Sequence, residues 1–125
     1  MKSDLHKNLQ ESLSEYYRKK GYIAVVEHYA VGKKIDVLAQ DIKTKYTIAN
    51  EIHLTAKHFL ENILLDFRAG CNEVRIIAVD KKILEEIKEK TNKELDKNLL
   101  KNVKFHLVEE FIPHTDNKNN INNKE

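Results

Sequence analysis

The chain has 125 residues, 41% of them hydrophobic and 34% charged, with a net charge of +2, a profile that fits one folded domain and argues against a disordered or fibrous chain. No apolar run approaches the ~18 residues that span a bilayer, no apolar stretch follows Lys2 as a secretory signal would need, and the single cysteine, Cys71, excludes an internal disulfide or a cysteine-cluster metal site. These features point to the cytoplasm, while a net charge near zero neither demands nor excludes a nucleic-acid partner.

Ser3 or Asp4 caps a first predicted helix that runs to about Lys20, with Leu5, Leu9, Leu13, Tyr16 and Tyr17 on its apolar stripe. Arg18, Lys19 and Lys20 suit the negative end of the helix dipole, and Gly21 stops the helix. The alternative for this basic cluster is a patch facing phosphates. Tyr22 to Ala30, rich in β-branched and aromatic residues, reads as strand one, and Gly32 marks a tight turn. Lys34 to Gln40 is strand two, Asp41 to Thr44 a polar turn, and Lys45 to Thr55 strand three. Thr55 caps a helix over Ala56 to Ala69, with Phe59, Leu60, Ile63, Leu64 and Phe67 on its apolar face, and Gly70 ends it.

Glu73 to Asp80 holds a near-continuous apolar run, as in a strand covered on both faces. Asp80 caps a charged helix from Lys81 to about Lys101, with a candidate break at Thr91-Asn92 and with Ile83, Leu84, Ile87, Leu95 and Leu99 inward. Val103 to Phe111 is the last predicted strand. The order αβββαβ plus a further helix and strand predicts an α/β fold with a mixed central sheet between helices, since a strand–helix–strand crossover is normally parallel. Residues 1–112 form the expected single domain. Residues 113–125 form an expected disordered polar tail, with Ile121 its lone aliphatic residue.

Residues two apart on a strand share a face. Glu51 and His53 therefore project together, opposite Ile48, Ile52 and Leu54, and Asp36 on the neighbouring strand reaches toward Glu51. Paired carboxylates offer the hard oxygen ligands that magnesium prefers. Such an ion lowers the pKa of a bound water and stabilises charge on a phosphate under in-line attack. A base or cation two residues after Glu51 positions that water, and His53 holds that place. The plain alternative makes Asp36 and Glu51 solvated charges on an exposed sheet face and His53 a structural histidine; neither acid is expected in the core. His28, His53 and His58 lack the i, i+4 spacing of a helical zinc pair. Cys71 reads as a packing residue.

Lys34-Ile-Asp36-Val, preceded by Gly32-Lys33, and Asn50-Glu51-Ile-His53 lie within an αβββαβ block from about residue 4 to 80. In this the chain resembles the PD-(D/E)xK nuclease superfamily, the restriction-endonuclease-like fold, and among its members resolvase-type nucleases and nuclease-like domains of mobile-element proteins. The resemblance implies that Asp36 and Glu51 hold Mg2+ or Mn2+, and that His53 stands where lysine is usual. Lys57, placed in the first turn of the next helix, and Lys34 on the Asp36 face are candidates for a relocated lysine. Glu11 or Glu15 is the candidate for a glutamate supplied by the first helix, and Glu27 is either a third acid or a plain edge-strand charge. Lys33, Lys34, Lys43 and Lys45 would line the mouth of the site and meet DNA phosphates.

The implied function is a metal-dependent DNA endonuclease that recognises structure or backbone, with a homodimer expected by analogy with the family. The alternative is a catalytically degenerate nuclease-fold module that binds nucleic acid or a protein partner such as a mobile-element ATPase. A third reading is an unrelated small α/β protein.

Overall fold

The computed structural model describes residues 3–30 and 32–112, so the expected polar tail at 113–125 lies outside the described residues. The elements run α1 (Asp4–Lys19), β1 (Tyr22–Ala30), β2 (Lys33–Asp41), β3 (Thr47–His53), α2 (Phe59–Arg68), β4 (Glu73–Ala78), α3 (Lys81–Glu94), α4 (Lys97–Leu100) and β5 (Val103–Leu107), then a 3-10 turn over Val108–Glu110. The five strands form one sheet in the order β1-β2-β3-β4-β5. The β1–β2 and β2–β3 pairs are antiparallel, whereas β3–β4 and β4–β5 are parallel. Each parallel step is carried by helical chain, as a parallel pair requires. The α/β class, the mixed sheet and the αβββαβ order with an added helical segment and strand are as the sequence predicts. No helix among the described residues is long and apolar enough to cross a membrane.

Helices α1 and α3 start at side-chain caps. The Ser3 hydroxyl accepts from the His6 N–H at 3.1 Å, and the Asp80 carboxylate accepts from the Ile83 N–H at 2.8 Å. Gly21, at φ 89°, turns the chain out of α1 in a left-handed conformation that costs glycine little.

The sheet has a core on each face. On one, Leu9, Leu13 and Tyr17 of α1 pack on Ala24, Val37, Ala39, Ile48, Ile52 and Ile77, joined by Phe111. On the other, Phe59 and Ile63 of α2 and Ile87 of α3 pack with Ile35, Ala49, Val74, Ile76 and Val103. Strand β3 keeps the period of two, with Ile48 and Ile52 on the α1 side and Ala49 on the other. Strand β2 does not. Val37 and Ala39 face α1, yet Ile35 packs with the α2 and α3 core. The alternation breaks at Asp36.

Several expected bounds shift, each for a local reason. The helix expected from Ala56 begins at Phe59, because residues 54–58 are bends and His58, at φ 57°, is left-handed. Thr55 therefore caps nothing. Strand three spans Thr47–His53, because the turn from Asp41 extends to Tyr46, whose carbonyl accepts from the Asp41 N–H at 2.9 Å. The last long helix ends at Glu94, since Leu95 is extended and buried, and Asp96 caps the short α4 through the Asn98 N–H at 2.7 Å. The chain stays helical through Thr91-Asn92. Strand β5 ends at Leu107, where the 3-10 turn carries Phe111 back onto α1. Leu5 and Leu64, expected inward, are exposed, and Phe67 is half-buried.

Candidate active site

The β2–β3 ladder runs from Gln40↔Thr47 to Val37↔Asn50 and stops there. Beyond it the two strands part, and the gap is filled by polar side chains. Asp36 stands at the parting point. Its Oδ2 accepts from the backbone N–H of Ile52 at 2.8 Å, in place of a ladder carbonyl. From α1, Gln10 Nε2 donates to the Asp36 carbonyl at 3.1 Å, and His6 Nε2 lies 3.5 Å from Asp36 Oδ2. On the other face, Lys33 Nζ from the start of β2 reaches Glu51 Oε2 at 2.5 Å and Asp66 Oδ1 at 3.0 Å. Asp66 comes from the inward stripe of α2, beside Phe59 and Ile63. The result is an ionisable cluster supplied by α1, β2, β3 and α2 and almost closed to solvent.

Burial overturns the expectation that the acids lie outside the core. Asp36 is 7% exposed and Glu51 3%, so neither is a solvated charge on an open sheet face. Burial, the adjoining Asp66 carboxyl and the charge of Asp36 together push the Glu51 carboxyl well above the usual carboxylate range, against the pull of Lys33. Asp66 Oδ2 is buried and has no donor, so a hydrogen bond between the Glu51 and Asp66 carboxyls needs a proton held on one of them. Burial opposes the charge on Lys33, but Glu51 and Asp66 outweigh it, and its pKa rises. Lys33 is thus a fixed ammonium.

His53 lies at the end of β3, two residues after Glu51, and is buried. Burial lowers its pKa, opposed by Asp36 and by a hydrogen bond with the Thr55 backbone. Its Nε2 is buried without a partner, so the Thr55 bond belongs to Nδ1. The ring is neutral near pH 7, with an unused nitrogen inside the protein. Asp36 and Lys33 are both close enough to act on its charge.

The structure thus joins Asp36, Glu51, His53 and Lys33. Lys57 is exposed in the loop between β3 and α2. Lys34 points to the surface, 3.6 Å from Glu27 and over the Tyr29 ring. Lys33 and Lys34 start β2, whereas Lys43 and Lys45 sit in the turn beyond its other end. At about 3.3 Å per residue, that turn is on the order of 20 Å from Asp36, so the four lysines do not line one mouth. Glu11 and Glu15 are exposed on the outer side of α1; the residues that α1 turns toward Asp36 are His6 and Gln10. Glu27 is half-buried, bonded to Lys34, and left-handed at φ 56°.

Asp66, His6 and Gln10 escape a sequence reading, and so does the tie of Lys33 to Glu51 and Asp66. Asp66 carries one signal: as the third residue after Ile63, it falls on the apolar stripe of a helix.

A second buried polar chain fixes β3 next to the cluster. Tyr17 Oη donates to Asn50 Oδ1 at 2.7 Å and accepts from Arg75 Nη1 at 3.0 Å, while Arg75 Nε and Tyr46 Oη both donate to the Glu73 carboxylate. Asn50 Nδ2 donates to the Val37 carbonyl at 3.1 Å, at the last rung of the β2–β3 ladder.

The donor chemistry suits a hard divalent cation. Asp36, Glu51 and Asp66 offer carboxylate oxygens, and Asp66 Oδ2 has no donor. Among the described residues, no three His, Cys, Asp or Glu side chains already stand grouped to hold a metal ion; the cation between Glu51 and Asp66 is the Lys33 ammonium. Comparison with family models, curated proteins and solved structures finds no match.

Proposed function

We propose that the chain is a metal-dependent endonuclease that hydrolyses phosphodiester bonds in DNA, recognising structure or backbone. The observation that supports the reading best is that Asp36 and Glu51 are both buried where β2 and β3 part, close enough for the Asp36 charge to act on Glu51, with an ammonium against Glu51 and a neutral imidazole near Asp36. Asp36 and Glu51 would hold Mg2+ or Mn2+. When bound, the ion supplies Lewis-acid stabilisation of a phosphate oxygen and a more acidic water. His53 has an unpartnered ring nitrogen to accept a proton from the attacking water. Lys33, on β2, supplies the permanent positive charge that His53 lacks. The Asp36 carboxylate is oriented by the Ile52 N–H and by α1, which limits the reorganisation a reaction would demand. The reading carries DNA as partner and the cytoplasm as location.

The tie between Lys33, Glu51 and Asp66 favours a second reading, a nuclease-fold module that no longer cuts and binds nucleic acid or a protein partner such as a mobile-element ATPase. Cleavage assays on linear, nicked, single-stranded and junction DNA with Mg2+ or Mn2+ separate the two. Cutting by the wild type, lost in Asp36→Asn and Glu51→Gln variants that remain folded, supports the nuclease. No cutting of any substrate and no Mn2+ binding by calorimetry leaves the module.

A further inference from the structure

We propose that Asp66 is a metal ligand and that the Lys33 ammonium is a built-in competitor for the same position between Asp66 and Glu51. The proposal rests on the metal-dependent reading above and adds to it a third carboxylate and a means of control.

Asp66 is fully buried on the inward stripe of α2, among residues that are otherwise apolar. Packing gives no reason for a carboxylate there, and burying one is costly unless it is paired. Its pairing is incomplete: Oδ1 meets Lys33 at 3.0 Å, while Oδ2 has no donor. A buried oxygen that needs a proton or a cation is what the site presents.

Lys33 Nζ lies 2.5 Å from Glu51 Oε2 and 3.0 Å from Asp66 Oδ1, so both carboxylates already point at one cation. Magnesium binds carboxylate oxygens at about 2.0–2.1 Å and commonly takes one or two carboxylates with waters completing its shell. Replacing the ammonium by such an ion would draw the oxygens in by less than about 1 Å each. Charge favours the exchange. Glu51 and Asp66 both contact the one lysine, and a divalent ion balances two carboxylates where the ammonium balances one.

Lys33 has somewhere to go. It is the first residue of β2, directly after the exposed Gly32, which is left-handed at φ 81°, and its side chain is already 12% exposed. Swung outward, the ammonium would stand at the rim of the parted strands, where a phosphate would arrive. The same residue thus holds the site shut without metal and faces substrate once metal is bound.

Calorimetric titration of Mn2+ into the full chain tests this with no recourse to activity. Lys33→Met and Lys33→Gln should bind Mn2+ about tenfold or more tighter than wild type, and Asp66→Asn about tenfold or more weaker. Lys33→Gln keeps a donor for the two carboxylates should Lys33→Met fold poorly, and the Asp66→Asn arm does not depend on either. If wild type binds Mn2+ in a manner that needs Asp36, and the Lys33 variants bind no tighter or Asp66→Asn no weaker, the proposal is overturned and the metal-dependent reading stands. If neither wild type nor any Lys33 variant binds Mn2+, both fall.

Discussion

The carboxylate of Asp36 accepts the backbone N–H of Ile52 at 2.8 Å, one residue past the point where the β2–β3 ladder stops. A candidate catalytic acid is therefore also a structural acceptor for the central strand. Asp36→Ala strands a buried N–H, which costs ~1–3 kcal/mol, while Asp36→Asn keeps an acceptor and costs less. Urea denaturation of the two variants measures the difference. Equal stability of Asp36→Ala and wild type would show that water reaches the Ile52 amide.

Tyr17→Phe removes a hydroxyl that donates to Asn50 and accepts from Arg75. The ring still fills its place against Leu13 and Tyr22, so the expected loss is that of a buried acceptor left without its donor, ~1–3 kcal/mol. Thermal melts should show a lower midpoint with an unchanged far-ultraviolet spectrum.

Glu73 makes stability fall in acid. Burial alone would raise its pKa, but hydrogen bonds from Arg75 and Tyr46 outweigh it and hold the carboxyl below the usual range. The folded pKa is thus below the unfolded one, near ~4.3, and the fold favours the ionised form. Its contribution is present above the unfolded value and is lost as pH falls through the folded one. Glu73→Gln should flatten the stability profile below about pH 5, read by chemical denaturation at a series of pH values.

His53→Lys would put a second ammonium into a buried cluster that already holds Lys33. The expected result is lower stability and, if the wild type cuts DNA, slower cleavage with a changed pH profile, because the imidazole that burial holds below its ordinary range is gone. Faster cleavage by the variant would instead mark His53 as a degraded lysine position.

Cys71 is buried in the core between α2 and β4, and burial pushes its thiol up to about 11. Thiolate is the reactive form. Iodoacetamide at pH 8 should label the native protein slowly and the urea-unfolded protein fast. Rapid labelling of the native form would show that the end of α2 opens readily.

Periodicity and caps are local signals, and they suffice for the element order, the antiparallel pairing of β2 with β3 and the helical crossover from β3 to β4. They do not carry depth. Nothing in Lys33-Lys34 says that the first is tied to two buried acids and the second lies at the surface. That depends on where β2 leaves β3 and on which helix covers the gap. The sequence alone yields the pair Asp36 and Glu51, because both sit on strands whose neighbours can be counted. Lys33, His6 and Asp66 join them only through the fold, which brings position 6 to 36 and positions 33, 51 and 66 to one another. Contacts so distant along the chain leave no period in it, and the tie of one ammonium to two buried carboxyl groups is set by tertiary structure.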